Sequence, residues 1–195
     1  VKRAEWVVAQ DDTIDKVDLQ IEQAAVDLLF EAAHCVVEVD TRDLRSLLVI
    51  VKVNNELERT ADAATAIAER VEKLTQLGEQ LPATFRVLAN SVVGMLRDVN
   101  NSMERGDVDL ARKVLQAEDT TEAFLETIIR ESEQEIASGS MSVDFAFLLH
   151  TMAHQCVLVA DYVANVAEQV IYALSGAVVR HTEGKWIDVP RPDQG

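Results

Sequence analysis

The side chains spaced for chemistry in this chain are mostly carboxylates. Glu58 and Asp62 stand four residues apart in Asn54-Asn55-Glu56-Leu57-Glu58-Arg59-Thr60-Ala61-Asp62. On a helix they share a face, with Asn55, Thr65 and Glu69 within about 60° of them at about 100° per residue. Asp11, Asp15 and Asp18 follow the i, i+4, i+7 pattern, and Glu118 and Glu122 repeat its first step farther along. Carboxylates gathered from two antiparallel helices make an all-oxygen site suited to Mg2+, Mn2+, Ca2+ or iron, and without a cation they repel one another. The competing reading is a plain helical scaffold, because acids at i, i+4 also decorate solvated helix faces and this chain has 34 of them.

Long helices must position these groups. Proline occurs only at Pro82, Pro190 and Pro192, so nothing in residues 1–81 or 83–189 must break a helix. Gly78/Pro82, Gly106, Gly139 and Gly176 fall just past apolar periodic runs, where helices stop. These marks predict helices over 3–37, 41–77, 83–104, 107–137 and 142–174. The first carries Ile14, Val17, Ile21, Ala24 and Leu28 at helical spacing, the second opens with Thr41 as N-cap, and the third has the stripe Phe85, Leu88, Val92, Met95 and Val99. A helix over 41–77 would span roughly 50 Å, which suits a long bundle. Residues 177–195 lose the periodicity and read as a tail in which Trp186 and Ile187 could dock on the body.

The chain also repeats itself. Residues 7–15 resemble 114–122, and 61–69 resemble 160–168, in the same order. The second copy has three predicted helices and the first has two. The expected architecture is therefore all-α, a tandem repeat of antiparallel three-helix bundles with the first helix of the first bundle missing. The units are 1–80, 81–176 and the tail 177–195. The missing helix is expected upstream of Val1, which is not a methionine. In the second copy Val157 stands where Glu58 stands in the first, and only Asp161 keeps the pair. His150 and His154 precede Asp161 within about 60° on the same face. Imidazole there could replace the lost carboxylate and soften the site toward iron, zinc or nickel. The alternative is that both histidines are ordinary surface or interface residues.

Composition narrows the partners. With 34 acidic against 18 basic side chains the net charge is −16, the reverse of what displacing counterions from nucleic-acid phosphates requires. Cys35 and Cys156 lie in apolar helical stretches without close spacing and read as packed thiols in a reducing compartment. No signal peptide is visible, and the longest apolar runs, such as that from Leu44 to Val53, are interrupted by charge well short of the ~20 residues of a membrane span. These features predict a soluble, intracellular protein. Glu31-Ala-Ala-His34 has the Glu-x-x-His spacing of di-iron bundles but occurs once, and we read it as coincidence. No phosphate loop, nucleophile elbow or paired-cysteine motif is present, so no enzyme is predicted.

At Leu57-Glu58-Arg59-Thr60-Ala61-Asp62, followed by Ile67-Ala68-Glu69 and preceded by Asp43-Leu44-Arg45 and Asn54, the sequence resembles the PhoU family of phosphate-uptake regulators. The resemblance extends to Gln10-Asp11-Asp12-Thr13-Ile14-Asp15 and to Ala160-Asp161, then Asn165-Val166-Ala167-Glu168-Gln169-Val170-Ile171-Tyr172, and so covers about residues 3–176. It implies two three-helix bundles bearing Glu/Asp-x-x-x-Asp motifs that hold multinuclear metal clusters. It also implies a cytoplasmic adaptor, peripheral to the membrane through its partners, between a phosphate ABC transporter and a sensor histidine kinase. By position Glu58 and Asp62 match the first motif and Asp161 the second. Asp11 and Asp15, with Glu118 and Glu122, match the acids of the partner helices, and His154 is the substitute for the acid lost at Val157. Ala61 replaces the family's usual glycine. The implied cofactors are metal ions: iron, manganese, magnesium or zinc. An absent first helix leaves an apolar groove, which predicts a homodimer, a preceding segment, or a domain cut from a longer protein such as a sodium/phosphate cotransporter.

Overall fold

Apolar periodicity and glycine stops produce the predicted long helices, with two breaks that neither foretells. The structure, a computed structural model, describes residues 1–34, 40–182 and 185–189, with side chains as far as Arg180. The order is α1 Lys2–Val8, α2 Asp11–His34, α3 Thr41–Leu77, α4 Ala83–Arg105, α5 Val108–Glu118, α6 Thr121–Ser138, α7 Val143–Ser175, β1 Val178–Thr182 and β2 Lys185–Val189. The fold is all-α in its body and repeats as expected. The broken helix α1/α2 packs on α3, the broken helix α5/α6 packs on α7, and α4 completes the second bundle. Among the described residues the first bundle has no helix in the place of α4. The most extensive contact in the molecule runs between α3 and α7 and joins the halves.

Caps locate the ends. Thr41 is the first residue of α3, and the cap is Asp40, whose side chain accepts from the Arg42 N–H at 3.0 Å. Asp107 and Ser142 cap α5 and α7 in the same way. Gly78, Gly106, Gly139 and Gly176 all end helices at φ between 65° and 77°, the left-handed region that favours glycine.

The expected helices 3–37 and 107–137 are each interrupted, the first at Ala9 and Gln10, the second at Asp119 and Thr120. At the first break Gln10 N–H closes a tight turn onto the Val7 carbonyl. At the second, the Thr120 and Thr121 hydroxyls donate to the carbonyls of Ala117 and Glu118, each at 2.8 Å. Such local bonds compete with the helical ladder.

Burial separates the two bundles. Phe85, Leu88, Val92, Met95 and Val99 of α4 are all buried, as predicted, against a centre that includes Ile128, Phe145, Leu149 and Ile171. On α2 only Ala25 is buried. Ile14, Val17 and Leu28 of the predicted stripe are exposed, because among the described residues no third helix covers that side of α2. By length and hydropathy α7 passes as a membrane span, contrary to the expectation from run length. Here it is the central helix of the protein, with eighteen of its 33 residues buried. Cys156, a free thiol, is among them; Cys35 lies outside the described residues.

The segment read as a tail forms an antiparallel hairpin, in which Val178 pairs with Val189 and Arg180 with Ile187. Its β-branched residues suit strands. Trp186 and Ile187 lie on β2, and their side chains are outside the described set.

A candidate metal centre between two helices

The break before Asp11 starts α2 afresh and puts Asp11 and Asp12 in its first turn, where the helix dipole favours negative charge. Asp11 and Asp15 then sit one turn apart on a helix that packs along α3. From α3 comes Asp62. One carboxylate oxygen from each of Asp11, Asp15 and Asp62 lies within 4.8 Å of the other two. Among the described residues no other three His, Cys, Asp or Glu side chains converge in this way.

Glu58, one turn before Asp62, faces the same cluster. Its carboxyl is raised above the ordinary carboxylate range by burial first, then by the charges of Asp62, Asp18 and Asp15, against a lowering by Arg59. Asp62 is raised by burial and then by Asp11 and Asp15. Five carboxylates thus sense one another. Arg59 relieves Glu58 only in part, since its guanidinium lies 4.3 Å from the centre of the Tyr162 ring on α7 and 3.7 Å from Glu56.

Two polar residues fix the acids. Thr65 Oγ1 donates to Asp11 Oδ1 at 3.0 Å. The amide of buried Asn54 donates to Asp18 Oδ1 at 2.7 Å and to the Asp18 carbonyl at 3.1 Å. Asp18, Asn54 and Thr65 therefore belong to the cluster's frame, although spacing alone marked only Asp18 and Thr65 as its neighbours. Glu69, also expected beside the stripe, is exposed on α3.

The donor set is compatible with a metal. Two oxygens on opposite sides of one calcium ion, at about 2.4 Å each, lie about 4.8 Å apart, and around a smaller octahedral ion about 4.2 Å apart. The Asp11, Asp15 and Asp62 oxygens fall within that spread. They are hard ligands, suited to Mg2+, Mn2+, Ca2+ or iron.

The second predicted set does not converge. Glu118 is the last residue of α5 and Glu122 the second of α6, so the break separates the two acids that spacing placed on one continuous helix. His154 and Asp161 are exposed on α7, and Val157 is half-buried. No three of Glu118, Glu122, His154 and Asp161 come within one ion's reach. His150 is half-buried; burial lowers its pKa against the opposing charge of Glu133, and its Nε2 has no hydrogen-bond partner. His34 Nδ1 lies 2.8 Å from the Phe30 carbonyl of its own helix.

Comparison with known proteins supplies the family. The PhoU domain matches residues 1–71 and 85–170. The chain is 28% identical over 180 residues to the phosphate-specific transport system accessory protein PhoU homolog of Pseudomonas putida, covering 91% of this chain and 68% of that protein. It is 30% identical over 182 residues to the homolog from Aquifex aeolicus, covering 93% and 80%. Among solved structures, PhoU from Pseudomonas aeruginosa superposes with a TM-score of 0.81 at 26% identity, over 89% of this chain and 81% of that one. The phosphate transport system regulatory protein PhoU from Streptococcus pneumoniae shares the fold, with a TM-score of 0.80 at 20% identity over 92% and 82%.

Proposed function

From the premise that this chain belongs to the PhoU family, we propose that it is a regulator of phosphate transport that works as a metal-charged adaptor. The match of the PhoU domain along both halves carries the first part of this reading. Its relatives are named accessory proteins of phosphate-specific transport, which supports a phosphate ABC transporter as one partner. A sensor histidine kinase is the second partner that the adaptor reading assigns, with the protein acting in the cytoplasm at the membrane surface. The reading gives it no catalytic step. Nucleic acid stays outside it, given the charge of −16.

Asp11, Asp15 and Asp62, with Glu58 beside them, would hold the metal. A bound cation supplies positive charge where five carboxylates repel, and so turns a self-repelling patch into an ordered docking surface. Thr65 and Asn54 orient Asp11 and Asp18 for that purpose. Support for a homodimer comes from the open side of the first bundle. Val26, Leu29, Leu44 and Leu48, all exposed, line one apolar groove there between α2 and α3.

The deciding experiment is capture of the phosphate transporter from detergent-solubilised membranes by the purified protein, with manganese and with chelator. Capture that needs metal and is lost in Asp15→Asn/Asp62→Asn supports the adaptor. Equal capture under all conditions would remove the metal from the reading, and no capture would remove the transporter. Light scattering of the same sample tests the dimer, which a monomer mass overturns.

A further inference from the structure

The repeat gives one glutamate two fates. Glu69 of α3 and Glu168 of α7 end matching segments, yet Glu69 is exposed and Glu168 is 8% exposed. Over Glu168 lies β1, which has no counterpart in the first bundle among the described residues. Arg180 of β1 donates from Nη1 to Glu168 Oε2 and also to the Val179 carbonyl at 2.8 Å. Val179 is 1% exposed. It lines a small cavity of about 180 Å3 with Leu48 and Lys52 of α3 and Gln169 and Tyr172 of α7. Beside it opens a cleft of about 530 Å3 between α3 and α7, whose wall includes Lys52, Asn55, Glu56, Asn165 and Arg180.

A two-stranded hairpin is at best marginally stable alone, so β1 and β2 stay in place through what they dock on. Among the described side chains that docking rests on buried Val179, half-buried Val178 and one ion pair, Arg180 with Glu168. The pair is lopsided, with the Glu168 side chain 10% exposed and the Arg180 side chain 47%. Water can therefore take over Arg180 when the strand lifts, while Glu168 needs a partner while the strand is down. We propose that the hairpin is a releasable strap, latched by Arg180 onto buried Glu168, that covers the Val179 seat and supplies one wall of the cleft between α3 and α7. Its release bares the Val179 seat and opens the cleft wall, in a protein whose helices stay folded.

Arg180 is also a tryptic site, which gives the test a local probe. Hydrogen exchange at residues 178–180 and trypsin cleavage after Arg180 are compared in wild type, Glu168→Ala and, for exchange, Arg180→Ala. A partly buried charge-assisted bond predicts about tenfold faster exchange and cleavage in Glu168→Ala. Exchange of the α7 core amides should stay at the wild-type rate. Exchange at 178–180 should rise by a similar factor in Arg180→Ala, and the double variant should add nothing. Unchanged exchange at 178–180 in either single variant overturns the latch. So does an equal acceleration across α7, which would mean general destabilisation. Should Glu168→Ala fail to fold, the half-exposed Arg180→Ala decides alone by the same two criteria.

Discussion

Replacing Asp15 and Asp62 by asparagine should make the metal-free protein more stable and the metal-loaded protein less stable than wild type. Three carboxylate oxygens within 4.8 Å of one another form three repelling pairs. At that distance each pair costs about 0.9 kcal/mol in water-like dielectric. At physiological salt, with a Debye length of about 8 Å, this falls to roughly 0.5 kcal/mol. Each pair contains Asp15 or Asp62, so the double variant removes all three, about 1.5 kcal/mol. For a chain of this length that is a rise of about 3–6 °C in melting temperature in the presence of chelator. Manganese at about a hundred times its dissociation constant stabilises wild type by about 2.7 kcal/mol, roughly 5–10 °C, and should not shift the variant. Thermal melts by circular dichroism in chelator and in MnCl2 therefore give two curves that cross. The reasoning is refuted if the variant melts no higher than wild type in chelator, or if manganese shifts both proteins alike.

The pH dependence of the metal-free protein should carry the same signature. Glu58 and Asp62 titrate above the ordinary carboxylate range in the fold. Their contribution to stability is therefore fully present below the unfolded values, near pH 4, and is lost as pH rises through the folded values. The difference in melting temperature between wild type and Glu58→Gln/Asp62→Asn should accordingly favour wild type more at pH 4 than at pH 7, and a flat difference contradicts this. Asn54→Ala strips both donors from Asp18 at a site 7% exposed, and should cost about 1–3 kcal/mol in urea unfolding. Cys156, whose thiol burial pushes up to about 11, holds roughly a thousandth of its thiolate at pH 8. Peptide-mapped alkylation should be at least about a hundredfold slower at Cys156 in the native protein than in urea, and equal rates would show that it is accessible.

The body of the fold was legible because each long helix carries its own marks. The α4 stripe and the glycines that end α3, α4, α6 and α7 were readable one residue at a time, since local periodicity and left-handed stops need no knowledge of the partner. The two breaks were not legible, because they rest on i, i+3 closures and hydroxyl back-bonds that leave the apolar period nearly intact. The hairpin was hidden too. Val179 and Arg180 matter through Glu168, an acid that reads in sequence like its exposed counterpart Glu69. Of the candidate site, Asp11, Asp15, Glu58 and Asp62 followed from spacing and the repeat. That Asn54 would turn toward Asp18 depends on the crossing of α2 with α3, which no single-helix pattern encodes.

The unequal fate of the two acidic sets follows from where each break falls. In the first half the chain breaks before Asp11, so Asp11 and Asp15 share one helix and Asp11 occupies its first turn. In the second half the break lies three residues later in the repeat, between the matching acids Glu118 and Glu122. Glu118 thereby moves to the last position of α5, the end of a helix where the dipole opposes negative charge, while Glu122 lies in the first turn of a separate helix. Val157 then removes the acid that should meet them from α7. One shifted break and one substitution thus separate a set of ligands that pairwise spacing kept together. Restoring the carboxylate at Val157 alone would leave Glu118 and Glu122 on opposite sides of the break, so the first bundle is where a metal-dependent change in this protein is to be sought.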